Sequence, residues 1–255
     1  MTIALPARAK LNLDLAVLGR RDDGFHNVRT TLQAIDLHDL ITVTPSERTH
    51  LTTSGIELAN THENSVLKAL AALEAATRRN LPTQIHIHKR IPAGAGLGGA
   101  SSDAAATLRA LAALHHVAAD LPAIARQLGS DVPFFLTGGA AIGEERGDRL
   151  TSIPTQPAWF AIAWPGVELL TPDVYQMWDE APGEPPNQLA RAAMRIEPTL
   201  QEFANALNSS GRPGWQMTGS GSAFFQRCID EGEARAVTAR LNCWTAVAQA
   251  LGPWA

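Results

Sequence analysis

The stretch Pro92-Ala-Gly-Ala-Gly-Leu-Gly-Gly-Ala-Ser-Ser-Asp-Ala-Ala-Ala106 joins an alternating segment to an alanine-rich one. Its glycines let the backbone curl tightly and bring N–H groups close to an anion. The start of a following helix adds unpaired N–H donors and the positive end of a dipole. The hydroxyls of Ser101 and Ser102 can donate to phosphate oxygens or bind magnesium. We therefore interpret residues 92–99 as a phosphate-binding loop rather than an ordinary strand–helix turn with Ser101 as N-cap.

The segments around this loop predict a chain of alternating strands and helices. Alternation of polar and apolar residues predicts strands, whereas apolar residues at helical spacing predict helices. The predicted strands cover residues 11–17, 28–35, 40–44 and 84–91. The predicted helices cover residues 65–79, 101–115, 121–128 and 231–241, the third of them closed by Gly129. In the first strand, Lys10, Asn12 and Asp14 share the polar face.

Composition sets the broad class of the protein. The chain has 255 residues, of which 45% are hydrophobic and 18% charged, values typical of globular proteins. A net charge of −4 without a long basic run argues against nucleic acid as a partner. The two cysteines, Cys228 and Cys243, suit a reducing compartment, and no export signal or membrane span is recognisable. We expect a cytoplasmic protein.

Two better-known phosphate loops fit the glycine stretch poorly. Gly94, Gly96 and Gly99 satisfy the dinucleotide pattern G-x-G-x-x-G, but the preceding strand alternates and no acidic residue follows at the expected distance. The Walker pattern fails because no Lys-Ser/Thr follows Gly99. A nicotinamide oxidoreductase and a nucleotide-binding module without catalysis remain as alternative functions from other classes.

The glycine stretch resembles the ATP loop of the galactokinase–homoserine kinase–mevalonate kinase–phosphomevalonate kinase superfamily. Residues 9–13 and 19–26 look like the start of its 4-diphosphocytidyl-2-C-methyl-D-erythritol kinase family. Gly129-Ser-Asp-Val-Pro-Phe-Phe135 is similar to the central acidic motif, and Thr218-Gly-Ser-Gly-Ser222 to the third motif. Phe25 stands where many relatives have Tyr, and Arg8 where a small residue is expected.

This resemblance implies ATP-dependent phosphorylation of the 2-hydroxyl of a cytidine-diphosphate-linked methylerythritol, in the non-mevalonate route to isoprenoid precursors. It also implies a two-domain α+β fold with the active site in the cleft between the domains. We place the domains at residues 1–153 and 154–255, divided at the prolines of 154–157. ATP, with Mg²⁺ in its ATP complex, is the expected cofactor. No nucleic acid, membrane or obligate protein partner is expected.

The resemblance further implies the catalytic and ATP-binding residues. Asp131 would orient the substrate hydroxyl and accept its proton, and Lys10 would stabilise charge on the acceptor and the transferring group. Without the resemblance, the alternative interpretation of Asp131 is a cap or turn residue. That of Lys10 is a solvated charge at a strand edge. The implied ATP-binding residues are Asn64, Lys89, Pro92, Ala93, Gly94, Ala95, Gly96, Leu97, Gly98, Gly99, Ala100, Ser101 and Ser102. Asn64 also reads as the N-cap of a helix.

The implied substrate-binding residues come from both halves of the chain. Asn12 would hydrogen-bond the methylerythritol hydroxyls, and Thr171 precedes the aromatic position at Tyr175. Our hypothesis is that Tyr175 and Phe25 sandwich the cytosine ring while His26 recognises its edge. The sequence does not identify magnesium ligands beyond the two serines of the loop.

Overall fold

The computed structural model describes residues 1–56, 65–210 and 213–254. Its strands are β1 (Ile3–Arg20), β2 (His26–Pro45), β3 (His50–Gly55), β4 (Thr83–Lys89), β5 (Ala140–Glu144), β6 (Arg149–Ile153), β7 (Trp159–Trp164), β8 (Gln216–Met217), β9 (Phe224–Cys228) and β10 (Trp244–Gln249). Its helices are α1 (Ser65–Thr77), α2 (Gly99–Leu114), α3 (Leu121–Leu128), α4 (Phe134–Thr137), α5 (Thr171–Glu180), α6 (Ala190–Ile196), α7 (Thr199–Ser209) and α8 (Glu231–Thr238).

The first half of the chain forms a six-stranded sheet around a long antiparallel hairpin of β1 and β2. Antiparallel β4 and β5 pair with different parts of β2, β3 adds in parallel to β4, and β6 pairs with β5. Apolar faces of α1 and α2 pack on this sheet, where Leu70, Leu73 and Leu108 are buried. This packing fixes the start of α2, and therefore the glycine loop before it, against the sheet.

The second half forms a four-stranded antiparallel sheet in the order β10-β7-β9-β8. Its own core joins residues of α5, α6 and α7 to the turn end of the β1–β2 hairpin. A third apolar cluster lies between the sheets, with Leu11 and Leu97 from the first half against Phe160 and Phe225 from the second. The glycine loop therefore lies where the two sheets meet.

Two strand predictions are wrong in detail. The predicted strands 28–35 and 40–44 form one 20-residue strand, β2. His38 and Asp39 between them pair with β1, whereas Asp36 and Leu37 lie in a register shift. The polar face of β1 carries the predicted site residues Lys10 and Asn12 and is buried, since they are 3% and 6% exposed. Register shifts between Arg8 and Lys10 and between Asn12 and Asp14 break the simple alternation of the strand.

Helix positions were predicted more closely than helix ends. α2 begins at Gly99 rather than Ser101, since Gly98 in the left-handed region (φ 76°) is its N-cap. α8 ends at Thr238 rather than Leu241, and Gly129 follows α3 in an extended conformation instead of a left-handed cap. The proposed domain boundary at 154–157 lies between β6 and β7, and the division remains a prediction. Among the described helices, none is long and apolar enough to cross a membrane.

Candidate active site

A cleft of about 1920 Å³ opens between the two halves. Common small-molecule sites measure roughly 300–1,000 Å³, so the cleft has room for two nucleotide-sized ligands. All but two of the predicted site residues line it. Ser102 is 2% exposed beneath the loop and does not line the cleft. Asn64 lies outside the described residues.

The glycine loop packs against the third motif through backbone atoms. The N–H groups of Ser222 and Ala223 donate to the carbonyl oxygens of Gly94 (3.2 Å) and Ala95 (3.0 Å). A Cβ on Gly96 would lie 2.2 Å from the carbonyl oxygen of Thr218. Glycine is therefore required here for the approach of two protein loops, in addition to any approach of a ligand.

The first turn of α2 is open to the cleft. Gly98 makes no side-chain cap hydrogen bond, and Gly99, Ala100 and Ser101 all line the cleft. Uncapped N–H groups at the start of a 16-residue helix favour an anion through both hydrogen bonding and the helix dipole. The geometry at this point suits a phosphate group.

Lys10 lies directly under the glycine loop. Its ammonium donates to the carbonyl oxygen of Gly96 and to Oδ1 of Asn12. Burial lowers the pKa of Lys10, and the nearby Asp131 carboxylate opposes that shift. Within the described residues the two side chains interact electrostatically but form no ion pair within 4.0 Å. Both line the cleft, which leaves space between them for a reacting group.

Asn12 is held on three sides. Its backbone N–H donates to Oγ1 of Thr218 (2.9 Å), and its Nδ2 donates to Oγ1 of Thr30 (2.8 Å). Its side-chain oxygen, Oδ1, accepts a hydrogen bond from the Lys10 ammonium. This arrangement makes Asn12 a fixed acceptor for the lysine. Its predicted contact with substrate hydroxyls stays a prediction.

A buried ion cluster supports the glycine loop from below. The Lys89 ammonium donates to Asp39 and to Asp103 (2.8 Å), and all three residues are under 5% exposed. Asp39 also accepts the N–H groups of Arg90 and Ile91, immediately before the loop. Asp103 belongs to α2, immediately after the loop. The cluster thus holds both flanks of the loop.

Burial raises the pKa of Asp103 to about 7, and the Asp39 carboxylate adds to the rise against the opposing charge of Lys89. One of its oxygens, Oδ1, is buried without a hydrogen-bond partner. A carboxyl that titrates near neutral pH in this position couples the charge of the cluster to pH.

At the opposite end of the cleft, His26 packs against α5. Its ring stacks on Tyr175 with centroids 5.1 Å apart and meets the edge of Trp178 at 5.8 Å. Its Nε2 lies 2.7 Å from Oδ1 of Asp179. Burial, with the Asp131 charge, raises the pKa of the Tyr175 hydroxyl. The imidazole that begins β2 is therefore enclosed by the second half of the chain.

Phe25 and Thr171, two further predicted substrate-binding residues, also line the cleft. Phe25 is 49% exposed, and the guanidinium of Arg146 lies 3.9 Å from its ring centroid. Thr171 Oγ1 is 2.9 Å from the hydroxyl of Ser220, in the third motif. Since Phe25 and Tyr175 each carry a protein group on one face, a base could stack only on their other faces. The sandwich stays a prediction.

Asp103, like four other residues that shape the site, was missed in the sequence. Asp39 supports the loop, Asp179 contacts His26, and Arg146 lines the cleft beside Phe25. Asn187 donates to the carbonyl oxygens of Met217 (2.7 Å) and Gly219 (2.9 Å) and so holds the third motif. None of these four residues belongs to a motif, and β2 also carries Arg29 and Asp36, so the strand's pattern does not single out Asp39.

Comparison with known proteins places these features in context. The family model described as the GHMP kinases N terminal domain matches residues 64–139. The 4-diphosphocytidyl-2-C-methyl-D-erythritol kinase of Moorella thermoacetica is 35% identical over 272 residues, covering 94% of this chain and 95% of the relative. The enzyme of that name from Thermus thermophilus is 37% identical over 259 residues, covering 93% and 92%.

Solved structures show the same likeness. A crystal structure of 4-(cytidine 5'-diphospho)-2C-methyl-D-erythritol kinase has a TM-score of 0.82 at 35% identity and covers 98% of this chain and 100% of that one. Homoserine kinase from Cytophaga hutchinsonii has a TM-score of 0.70 at 16% identity, covering 99% of this chain and 95% of that one. The second likeness shows the fold alone.

Proposed function

The chain belongs to the 4-diphosphocytidyl-2-C-methyl-D-erythritol kinase family, and from this premise we propose how its cleft performs the family's reaction. The enzyme phosphorylates the 2-hydroxyl of 4-diphosphocytidyl-2-C-methyl-D-erythritol with ATP, a step in isoprenoid precursor synthesis. The observation that carries the assignment of residues is their convergence. Lys10, Asp131, the glycine loop and the His26–Tyr175 pair all line one cleft.

The ATP phosphates lie at the glycine loop and the uncapped start of α2. The substrate hydroxyl attacks the γ-phosphorus, its proton passes to the Asp131 carboxylate, and ADP leaves. Phosphoryl transfer depends mostly on positioning and charge neutralisation, so one carboxylate and one nearby cation suffice. Lys10 uses two of its three N–H donors on Gly96 and Asn12. The third is free for an oxygen of the transferring group.

Magnesium enters with ATP. In the described ranges, no group of three His, Cys, Asp or Glu residues could hold a metal ion. Mg²⁺ that is carried by a nucleotide takes few protein ligands beside phosphate oxygens and water. The hydroxyl of Ser101, in the open first turn of α2, is the protein ligand we propose. The ion would neutralise phosphate charge.

The cytidine end of the substrate lies between Phe25 and Tyr175, beside His26, and Thr171 faces the same space. Lys89 supports the ATP side through its ion cluster. The expectations of a cytoplasmic location, and of no nucleic-acid or obligate protein partner, remain predictions.

The test measures ADP release with ATP and Mg²⁺, with and without the cytidine substrate. We expect release to require the cytidine substrate and to fall strongly in Lys10→Met, while Lys68→Met, an exposed lysine, behaves as the parent. Parent-like turnover in Lys10→Met would contradict the proposed role of Lys10. Activity with an alternative sugar or mevalonate, but not the cytidine substrate, would contradict the function.

A further inference from the structure

One helix of the second half fixes the orientation of a histidine from the first half. Tyr175 and Asp179 are four residues apart on α5, so their side chains lie on one face of the helix. Tyr175 supports the flat face of the His26 ring, and Asp179 meets its Nε2 at 2.7 Å. The ring therefore has one defined position, with 5% of its side chain exposed.

This contact also decides which ring nitrogen carries the proton. An ionised carboxylate can only accept hydrogen bonds, so Nε2 of His26 must donate to Asp179. In the neutral imidazole, Nδ1 is then an acceptor. Nδ1 has no hydrogen-bond partner among the described residues, and His26 lines the cleft. His26 therefore presents one hydrogen-bond acceptor, Nδ1, in a fixed direction.

Cytosine and uracil differ at the edge that such an acceptor would meet. Cytosine carries an exocyclic amino group, which donates, where uracil carries a carbonyl oxygen, which accepts. An acceptor at Nδ1 pairs with the amino group and faces the carbonyl with lone pair against lone pair. A site built to hydrogen-bond one group rejects the analogue that leaves its polar atoms unpaired.

We propose that Asp179 is a positioning residue that makes the enzyme select a cytosine over a uracil substrate, by holding His26 in the tautomer whose Nδ1 accepts. The proposal rests on the proposed function, in which His26 faces the base. Arg20 contacts the same carboxylate, because its guanidinium lies 3.4 Å from Oδ2 of Asp179. Asp179 itself does not need to touch the substrate.

The decisive variant is Asp179→Asn. An amide can donate to Nε2, which allows the other tautomer, with a proton on Nδ1 that can donate to the uracil carbonyl. Asp179→Leu removes the partner altogether. Asp173→Asn is the matched control, since Asp173 is an exposed acid on the same helix and does not line the cleft.

The first readout is the ratio of kcat/KM for the cytidine substrate to kcat/KM for its uridine analogue. We expect this ratio to fall roughly 10-fold or more in Asp179→Asn, mainly because kcat/KM for the uridine analogue rises. In Asp173→Asn we expect the ratio to stay at the parent's value. An unchanged ratio in Asp179→Asn would overturn the proposal, because recognition would then use the His26 backbone or another group.

The second readout is the nitrogen NMR spectrum of histidine-labelled protein, with the His26 signals assigned from His26→Gln. We expect the parent to show a protonated Nε2 and an unprotonated Nδ1, and Asp179→Asn to show a mixture. A parent with its proton on Nδ1 would overturn the proposal. This spectrum needs no turnover, so it separates a failure of this proposal from a failure of the proposed function.

Discussion

The two ends of the cleft are built in different ways. At the phosphate end, glycine-loop carbonyls accept backbone N–H groups of the third motif, and a buried ion cluster holds both flanks of the loop. At the base end, the contacts are made by side chains of His26, Tyr175 and Asp179 from opposite halves. Backbone groups suit the binding of a phosphate, which many nucleotides share. Side-chain groups suit the recognition of a base, which must be distinguished from other bases.

This contrast predicts where substitutions act. Changes at the phosphate end disturb the fold, because the same atoms hold the two halves together. Changes at the base end affect the choice and affinity of one substrate. Between the two ends, Asp131 should affect the chemical step without affecting either.

The largest effect is expected for Asp131→Asn. A positioned general base contributes typically ~10²–10⁴-fold, so we expect kcat to fall by that order while the ATP dissociation constant stays nearly unchanged. Steady-state kinetics and calorimetry measure the two quantities. Asp173→Asn provides the matched control. If Asp131→Asn kept more than half of the parent's activity, the carboxylate would not be the proton acceptor.

The next largest effect is expected for Lys89→Met, which leaves the Asp39 and Asp103 carboxyls buried without their cation. Breaking a buried ion pair on one side costs about 3–5 kcal/mol of folding free energy. Urea unfolding measures it, with the exposed Lys68→Met expected within about 0.5 kcal/mol of the parent. Equal unfolding midpoints for the parent and Lys89→Met would show that the cluster does not hold the loop.

At the base end, Tyr175→Ala should raise KM for the cytidine substrate by roughly 5- to 150-fold, the range given by base stacking on one aromatic ring. KM for ATP should stay unchanged, because Tyr175 contributes nothing to the phosphate end. Tyr175→Phe keeps the ring and serves as the control. A KM for the cytidine substrate equal to the parent's would mean that Tyr175 only supports His26.

The effect that is smallest at each step is that of pH, because it is spread over about three pH units. The pKa of Asp103 is raised to about 7, above the ~3.9 of an unfolded chain, so the folded protein keeps a proton that the unfolded chain releases. The stability from this group is fully present below about pH 4. It is lost as the pH rises to about 7, by at most ~1.4 kcal/mol per pH unit.

Asp103→Asn carries a neutral group at every pH and is therefore the comparison. Urea unfolding at pH 5 to 8 should show the parent losing stability relative to Asp103→Asn up to about pH 7 and running parallel to it above. Parallel curves over the whole range would show that Asp103 does not titrate there, and the phosphate end would lack this link to pH.

The sequence predicted the phosphate end better than the base end for a physical reason. A loop followed by a helix is a local arrangement, and Gly94 to Ser101 carry it in consecutive residues. The sequence could not show that residue 96 must be a glycine because the carbonyl oxygen of Thr218, 122 positions later, lies so close to it. Nor could it show that the glycine loop and the third motif cover Lys10 and Asn12, through Gly96 and Thr218.

The base end depends on contacts between residues far apart in the chain. Tyr175 and His26 could be named through a family resemblance, but their stacking on each other could not be predicted. Asp179 and Asn187 belong to no motif, because their roles arise only when α5 and the third motif meet the β1–β2 hairpin.

Phosphorus NMR of the protein with ATP, Mg²⁺ and the cytidine substrate follows the phosphoryl transfer itself, and comparison with Asp131→Asn tests the role of that carboxylate in the same experiment. We expect a new phosphomonoester resonance that grows in step with ADP in the parent, and growth slowed by ~10²–10⁴-fold in Asp131→Asn. Inorganic phosphate in place of the phosphomonoester, or the same growth rate in Asp131→Asn, would contradict this expectation.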